Sequence, residues 1–124
     1  EDILTAKYKL EKMFDICDVG VNSLGMYRKG FELTAELKTR EYSSRGLPFV
    51  CSVDDPALAN AEDVMWHKVE NNDSIPDMKK IVEFAMRMRS EPDCAEKLRS
   101  YAEKYMTWEA QYKIVFDTLD GINL

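Results

Sequence analysis

Lys38 and Glu41 flank the start of an expected short helix, Thr39 to Arg45. A carboxylate there, facing a crevice at a strand end, can accept two charge-assisted hydrogen bonds from a vicinal diol. The alternative is that Glu41 only favours the positive end of its own helix. Lys38 precedes that helix. Free N–H groups at a helix N-terminus beside an ammonium make a ready phosphate site; the alternative is a solvated lysine. Tyr27-Arg28-Lys29 lies between Gly25 and Gly30. Its cations could meet a diphosphate or an acceptor phosphate, or the tripeptide is a solvated loop. Ser23 either bonds a ligand at a strand end or turns the chain.

Other reactive residue types read as structural. His67 is the only histidine and sits inside a strand pattern beside Trp66. Asp54-Asp55 followed by Pro56 reads as a turn and helix cap, although acids after a strand can also hold metal. Cys17, Cys51 and Cys94 are odd in number, far apart and set in apolar patterns, as reduced, buried thiols would be. Their spacing makes no metal site. No residue is assigned a catalytic role, and no cofactor or metal is expected.

The elements that must position these groups follow from periodicity. Residues 3 to 17 read as a helix on Leu4, Tyr8, Leu10, Met13, Phe14 and Cys17, capped by Asp2. A hydrophobic strand follows within Asp15 to Asn22, centred on Val19 and Val21. Gly46 ends the Thr39–Arg45 helix, and Phe49-Val50-Cys51 is a buried-type strand after Pro48. A helical turn is expected at Ala57–Ala61, and Val64–Val69 reads as a third strand. Ser74 is expected to cap a helix from Ile75 to Arg89, with Ile75, Met78, Ile81, Val82, Ala85 and Met88 as its stripe. The Met78, Met86 and Met88 set reads as adaptable core, and Lys79, Lys80, Arg87 and Arg89 as a solvated face.

After Glu91-Pro92, Asp93 with Glu96 matches a capping box for a helix carrying Cys94, Leu98, Tyr101, Ala102 and Tyr105. Thr107 caps the last helix, whose Trp108, Tyr112, Val115, Phe116 and Leu119 share a face on which Trp108 is expected to pack. The order is α-β-α-β-β-α-α-α. It predicts an α/β chain: half of a Rossmann-like nucleotide-binding domain, with a short parallel sheet of about three strands flanked by helices. A β-loop-α-β crossover places its loop at the carboxyl end of the strand, where open α/β sheets bind ligands. So thin a sheet exposes an edge unless another segment or another copy covers it.

Glu41-Tyr42-Ser43-Ser44-Arg45-Gly46-Leu47-Pro48-Phe49-Val50 resembles the E-x-x-x-x-G-x-P-x-V signature of GT-B glycosyltransferases of the large group 1 (family 4) class. Leu37-Lys38-Thr39-Arg40-Glu41-Tyr42 resembles the L-K-x-x-E-Y variant of bacterial members. The resemblance implies that residues 1–124 are a single domain, the C-terminal portion of a GT-B nucleotide-sugar-binding domain. It implies that Glu41 holds the ribose hydroxyls of a UDP- or GDP-type donor, and that Leu37, Lys38 and Thr39 line its diphosphate. The family's glutamate pair is separated by seven residues, which places Leu33 where the first carboxylate would stand. Glu32 and Glu36 are the nearby carboxylates for donor-sugar contacts, with Ser23, Arg28 and Lys29 as further sugar or phosphate contacts.

Composition sets the bounds. The 124 residues suit one domain, and 45% hydrophobic with 32% charged residues is a globular balance. With 23 acidic against 17 basic residues, global attraction to nucleic acid or an anionic membrane is excluded as a main function. No apolar stretch reaches the ~18 residues of a membrane span. The expected location is the cytoplasm, with at most peripheral contact at the inner face of the membrane.

Two functions follow. One is the donor-binding portion of a glycosyltransferase acting on a glycan or lipid-linked acceptor, for polysaccharide biosynthesis, inactive without the N-terminal portion of its parent enzyme. The other is a non-catalytic, degenerate half-domain that forms a homodimer through its open sheet edge. A phosphoacceptor receiver domain fits the size but lacks an Asp at the end of Val64–Val69.

Overall fold

The computed structural model describes residues 2–61 and 65–122. Asp2 caps helix α1 (Ile3–Ile16) by accepting from the Leu4 N–H. Strand β1 (Gly20–Val21), a 3-10 turn at Met26–Lys29 and helix α2 (Leu37–Arg45) follow. Then come β2 (Phe49–Cys51), a 3-10 turn at Pro56–Leu58, β3 (Trp66–Lys68), α3 (Met78–Ser90), α4 (Cys94–Tyr105) and α5 (Trp108–Asp120). The strands form one open parallel sheet in the order β1-β2-β3, with Gly20 opposite Phe49 and Phe49 opposite Trp66. The chain is thus mixed α/β, a short parallel sheet flanked by helices, as its sequence predicts.

The central strand explains the layering. Successive strand side chains face opposite sides. Val50 packs with Met65, Phe84, Met88, Cys94 and Leu98, so α3 and part of α4 cover that face. Phe49 and Cys51 pack with Tyr42, Leu47 and Leu58, so α2 covers the other. A parallel strand buried on both sides carries a continuous apolar run, which is what Phe49-Val50-Cys51 is.

Helix α2 buries Thr39, Tyr42 and Ser43, the i, i+3, i+4 face of one stripe. The Tyr42 hydroxyl donates to the Val21 carbonyl at 2.9 Å, tying the helix to β1. Gly46 ends α2 at φ 72°, its N–H and that of Leu47 turning back to the Ser43 and Tyr42 carbonyls.

Several expectations need correction. Helix α2 starts at Leu37, not Thr39, so Lys38 lies inside its first turn. The first strand keeps only Gly20 and Val21, because Asp15 and Ile16 belong to α1. The third strand narrows to Trp66–Lys68; Val64, with residues 62 and 63, lies outside the described residues. Helix α3 begins at Met78 under an Asp77 cap, which accepts from the Lys79 and Lys80 N–H groups; Ser74 does not cap it, and Ile75 is 90% exposed. Asp93 adopts φ 58° and makes no capping bond, so there is no capping box. Cys17 is exposed; only Cys51 and Cys94 are buried. Met78 and Met86 are exposed, so of the methionine set only Met88 is core, and Trp108 is 75% exposed rather than packed. Among the described residues no helix is long and apolar enough to cross a membrane.

Candidate functional site

The first turn of α2 stands at the carboxyl ends of the strands. Asn22, the residue after β1, donates from Nδ2 to Thr39 Oγ1 at 2.9 Å within the core. Its own N–H continues the sheet to the Val50 carbonyl. Asp55, three residues past Ser52, fixes the same turn from the other side. It accepts the Glu36 N–H at 3.1 Å, the Ala57 N–H at 2.9 Å and Arg40 Nη1. Arg40 also donates to the Glu36 carbonyl. Glu36 occupies the N-cap position of α2 without a side-chain capping bond, and its Oε2 is buried without a hydrogen-bond partner.

Beyond the strand ends lies a polar crevice of about 480 Å³ lined by Glu32, Ser52, Asp54, Lys68, Glu70 and Asn71. Residues 32–34 run extended beside Asp54. The Asp54 N–H donates to the Glu32 carbonyl, the Thr34 N–H donates to the Asp54 carbonyl, and both bonds are 2.9 Å. This pairing centres on Leu33 and Asp54. Side chains alternate along such a segment, so Glu32 reaches the crevice while Leu33 is 59% exposed. Lys68 Nζ pairs with Asp54 Oδ1 at 2.6 Å. Ser52 Oγ donates to the Ser23 carbonyl at 3.1 Å.

A latch joins the loops that follow β1 and β3. The Tyr27 hydroxyl donates to Asp73 Oδ1, Arg28 Nη2 donates to the same oxygen at 2.9 Å, and Asn71 Nδ2 donates to the Phe31 carbonyl. The Tyr27 hydrogen bond, then Arg28, holds the Asp73 carboxyl below the usual carboxylate range. Tyr27-Arg28-Lys29 is therefore a 3-10 turn in which two residues are engaged and Lys29 is exposed.

Glu41 stands apart from the crevice. It lines a groove of about 730 Å³ between α2 and α4, with Arg40, Arg45, Arg99, Glu103 and Met106. Glu41 Oε1 lies 3.6 Å from Arg45 Nη2, and its side chain is 42% exposed. Arg45 instead gives its close contacts to Glu11 and lies over the Phe14 ring. Arg99 donates to the Arg45 carbonyl at 3.1 Å and brings a further cation to the groove.

The structure thus brings Lys38, Thr39 and the backbone of Leu37 together at one helix end. Glu32 lines the crevice, Ser23 is tied to Ser52 only through its carbonyl, Glu41 lies in a separate groove, and Glu36 turns inward. Ser52, Lys68, Glu70, Asn71, Arg45 and Arg99 carry no local motif and were not legible as site residues. Asp55 reads in sequence as a turn and cap, and it does cap the Pro56–Leu58 turn. The His67 ring stacks on Phe84 with centroids 5.6 Å apart, and burial pushes the Cys51 thiol up to about 12. No family model, curated protein or solved structure matches this chain.

Proposed function

We propose that the chain is the donor-binding portion of a glycosyltransferase with a Rossmann-like nucleotide-binding half. The observation that carries the reading is the placement of the α2 first turn. Leu37, Lys38 and Thr39 lie at the carboxyl ends of a parallel sheet, with no side-chain cap from Glu36. Amides at a helix N-terminus with an adjacent ammonium suit a diphosphate. They would also stabilise charge developing on the departing diphosphate, commonly a large catalytic term. Glu41, one turn further on and beyond hydrogen-bond length from Arg45, keeps carboxylate oxygens for ribose hydroxyls.

The register with Leu33 at the first-glutamate position is accommodated by Glu32 rather than Glu36. Glu32 projects into the polar crevice, where Ser52 and Asn71 offer further partners for sugar hydroxyls, whereas the Glu36 Oε2 is buried. Arg28 and Lys29 then belong to the loop after β1. Arg28 is spent on the latch to Asp73. The acceptor would be a glycan or lipid-linked saccharide held by the N-terminal portion of a parent enzyme, in the cytoplasm or at the inner membrane face.

A second reading, a degenerate module without donor chemistry, is favoured by Leu33 itself. A titration with UDP, GDP and ADP followed by backbone amide shifts separates the two. One nucleotide should give saturable shifts at Lys38, Thr39 and Glu41, lost in Glu41→Ala. A folded sample that shows no shifts at millimolar nucleotide overturns the donor-site reading for this chain.

A further inference from the structure

Helix α3 has two apolar sides, and the core uses only one. Phe84 and Met88 are buried against Val50 and Met65, with Ile81 packed beside them. Met78, Val82 and Met86 recur at every fourth residue and so form a line along the helix. At about 3.6 residues per turn that line lies on the side away from Phe84 and Met88. Its members are 61%, 52% and 66% exposed, and Ile75, just ahead of the Asp77 cap, is also exposed.

The same helix carries Lys79, Lys80, Arg87 and Arg89, all exposed, against a single acid, Glu83. Lys79 follows Met78 in the first turn, and Arg89 lies one turn past Met86. Lys80 and Arg87, two turns apart, share one flank. Their present contacts are loose. Lys79 stands 3.9 Å from Glu83, Arg89 stands 4.0 Å from Asp18, and the Arg87 guanidinium lies over the Phe84 ring at 5.6 Å. Exposed pairs at such lengths hold a side chain weakly, so the cations can turn to another anion.

We infer that this outer face of α3 docks on an anionic lipid bilayer, with Met78, Val82 and Met86 entering the headgroup layer and the four cations meeting lipid phosphates. Charge selects that occupant. The chain as a whole carries a formal charge of -6, so the excess of cations on α3 runs against its composition. The other helices with exposed apolar residues lack it. On α1, Lys7, Lys9 and Lys12 stand against Glu11 and Asp15, with Asp2 at the cap; on α5, Lys113 stands against Glu109, Asp117 and Asp120. The arrangement agrees. An apolar line bordered by basic residues is the pattern of helices that lie in a bilayer interface, which use apolar burial together with attraction to anionic lipid. Lysine and arginine lay their stems along apolar surface and extend their charged heads outward. An acidic protein would have to offer a matching apolar groove for the same face; a fluid bilayer needs none.

The test is co-sedimentation of the full 124-residue chain with vesicles of phosphatidylcholine alone and of an equimolar mixture of phosphatidylcholine and phosphatidylglycerol. Binding to the mixed vesicles is expected, weakened by salt, with none to phosphatidylcholine alone. Each lipid-facing cation contributes about fivefold, so Lys80→Gln with Arg89→Gln should weaken binding by roughly 25-fold. Val82→Gln with Met86→Gln leaves the charge unchanged and should remove binding with an unaltered circular dichroism spectrum, because neither side chain is in the core. A wild-type chain that ignores the mixed vesicles overturns the inference. So does binding that survives the Val82→Gln and Met86→Gln pair, which would place the contact on another face. Binding to polyglutamate without binding to the mixed vesicles overturns it too, and would assign the face to an acidic protein. No nucleotide takes part, so failure here leaves the donor-site reading to its own titration.

Discussion

Gly46 joins the end of α2 to the start of β2 and touches α4, so replacing it with alanine probes the scaffold of the candidate site directly. Two costs are distinguishable. Gly46 has φ 72°, and an L-residue in the left-handed region costs about 1–2 kcal/mol. A Cβ there would also lie 2.5 Å from the Ala95 carbonyl oxygen and 2.8 Å from Ala95 Cα. These are helix atoms that move only if α4 moves, and overpacking of this kind costs a further ~1–3 kcal/mol. Gly30 supplies the control. Its φ is 73°, but an added Cβ meets nothing within 4 Å. Gly30→Ala should therefore cost about 1 kcal/mol and Gly46→Ala about 3 kcal/mol. For a chain of this size that corresponds to Tm losses of about 4 °C and about 12 °C. Urea unfolding followed by circular dichroism measures both. Equal losses for the two substitutions would refute the contact between the α2 terminus and α4 as the source of the difference.

The remaining expectations are simpler. With an aromatic disulfide reagent at mildly alkaline pH, exposed Cys17 should react at once, while Cys51, its thiol pushed up to about 12 by burial, and buried Cys94 should react only on unfolding. Prompt modification of two thiols in the folded chain would contradict the packing of β2. The Asp73 carboxyl, held low first by Tyr27 and then by Arg28, favours the closed latch above the usual carboxylate range. That contribution fades as pH falls through its lowered titration point. Carboxyl carbon shifts should show a midpoint below the ordinary Asp value, moving upward in Tyr27→Phe.

The sequence announces its elements more clearly than their surroundings. Gly46 and Pro48 mark the end of α2 because their backbone constraints are local. The apolar run Phe49–Cys51 marks a doubly covered strand because burial on both faces leaves no polar position. The start of α3 is misjudged because apolar spacing extends back to Ile75. Pro76 holds the residue before it in extended backbone, and Asp77 then caps more effectively than Ser74. Periodicity also finds an apolar face without saying what lies against it. Trp108 and Met88 both lie on apolar helical stripes, yet one is 75% exposed and the other 8%, while Phe84, outside the expected α3 stripe, is buried at 3%. The crevice was illegible for a different reason. Glu32, Ser52, Lys68 and Asn71 meet only because three strand ends converge, and no short window of sequence contains that geometry.

Asp55 links that convergence to the helix end. Its carboxylate takes the N–H of Glu36 at the positive end of α2 and pairs with Arg40, whose side chain is 27% exposed against 3% for Asp55. A buried anion there is stabilised by the helix dipole and by the cation, but it also competes electrostatically with any phosphate at Leu37–Thr39. Asp55→Asn keeps an acceptor and removes the charge. Stability should fall by about 2–3 kcal/mol, less than the loss of a fully buried ion-pair partner because Arg40 retains access to water. If the first turn of α2 holds a diphosphate, nucleotide affinity should nonetheless rise by about threefold to tenfold, as one nearby negative charge is removed. Stability and affinity moving in opposite directions would tie the anion site to that turn. Affinity that drops along with stability, in a sample still folded at the assay temperature, would mean that Asp55 organises the turn by geometry and that charge at the α2 terminus does not govern binding.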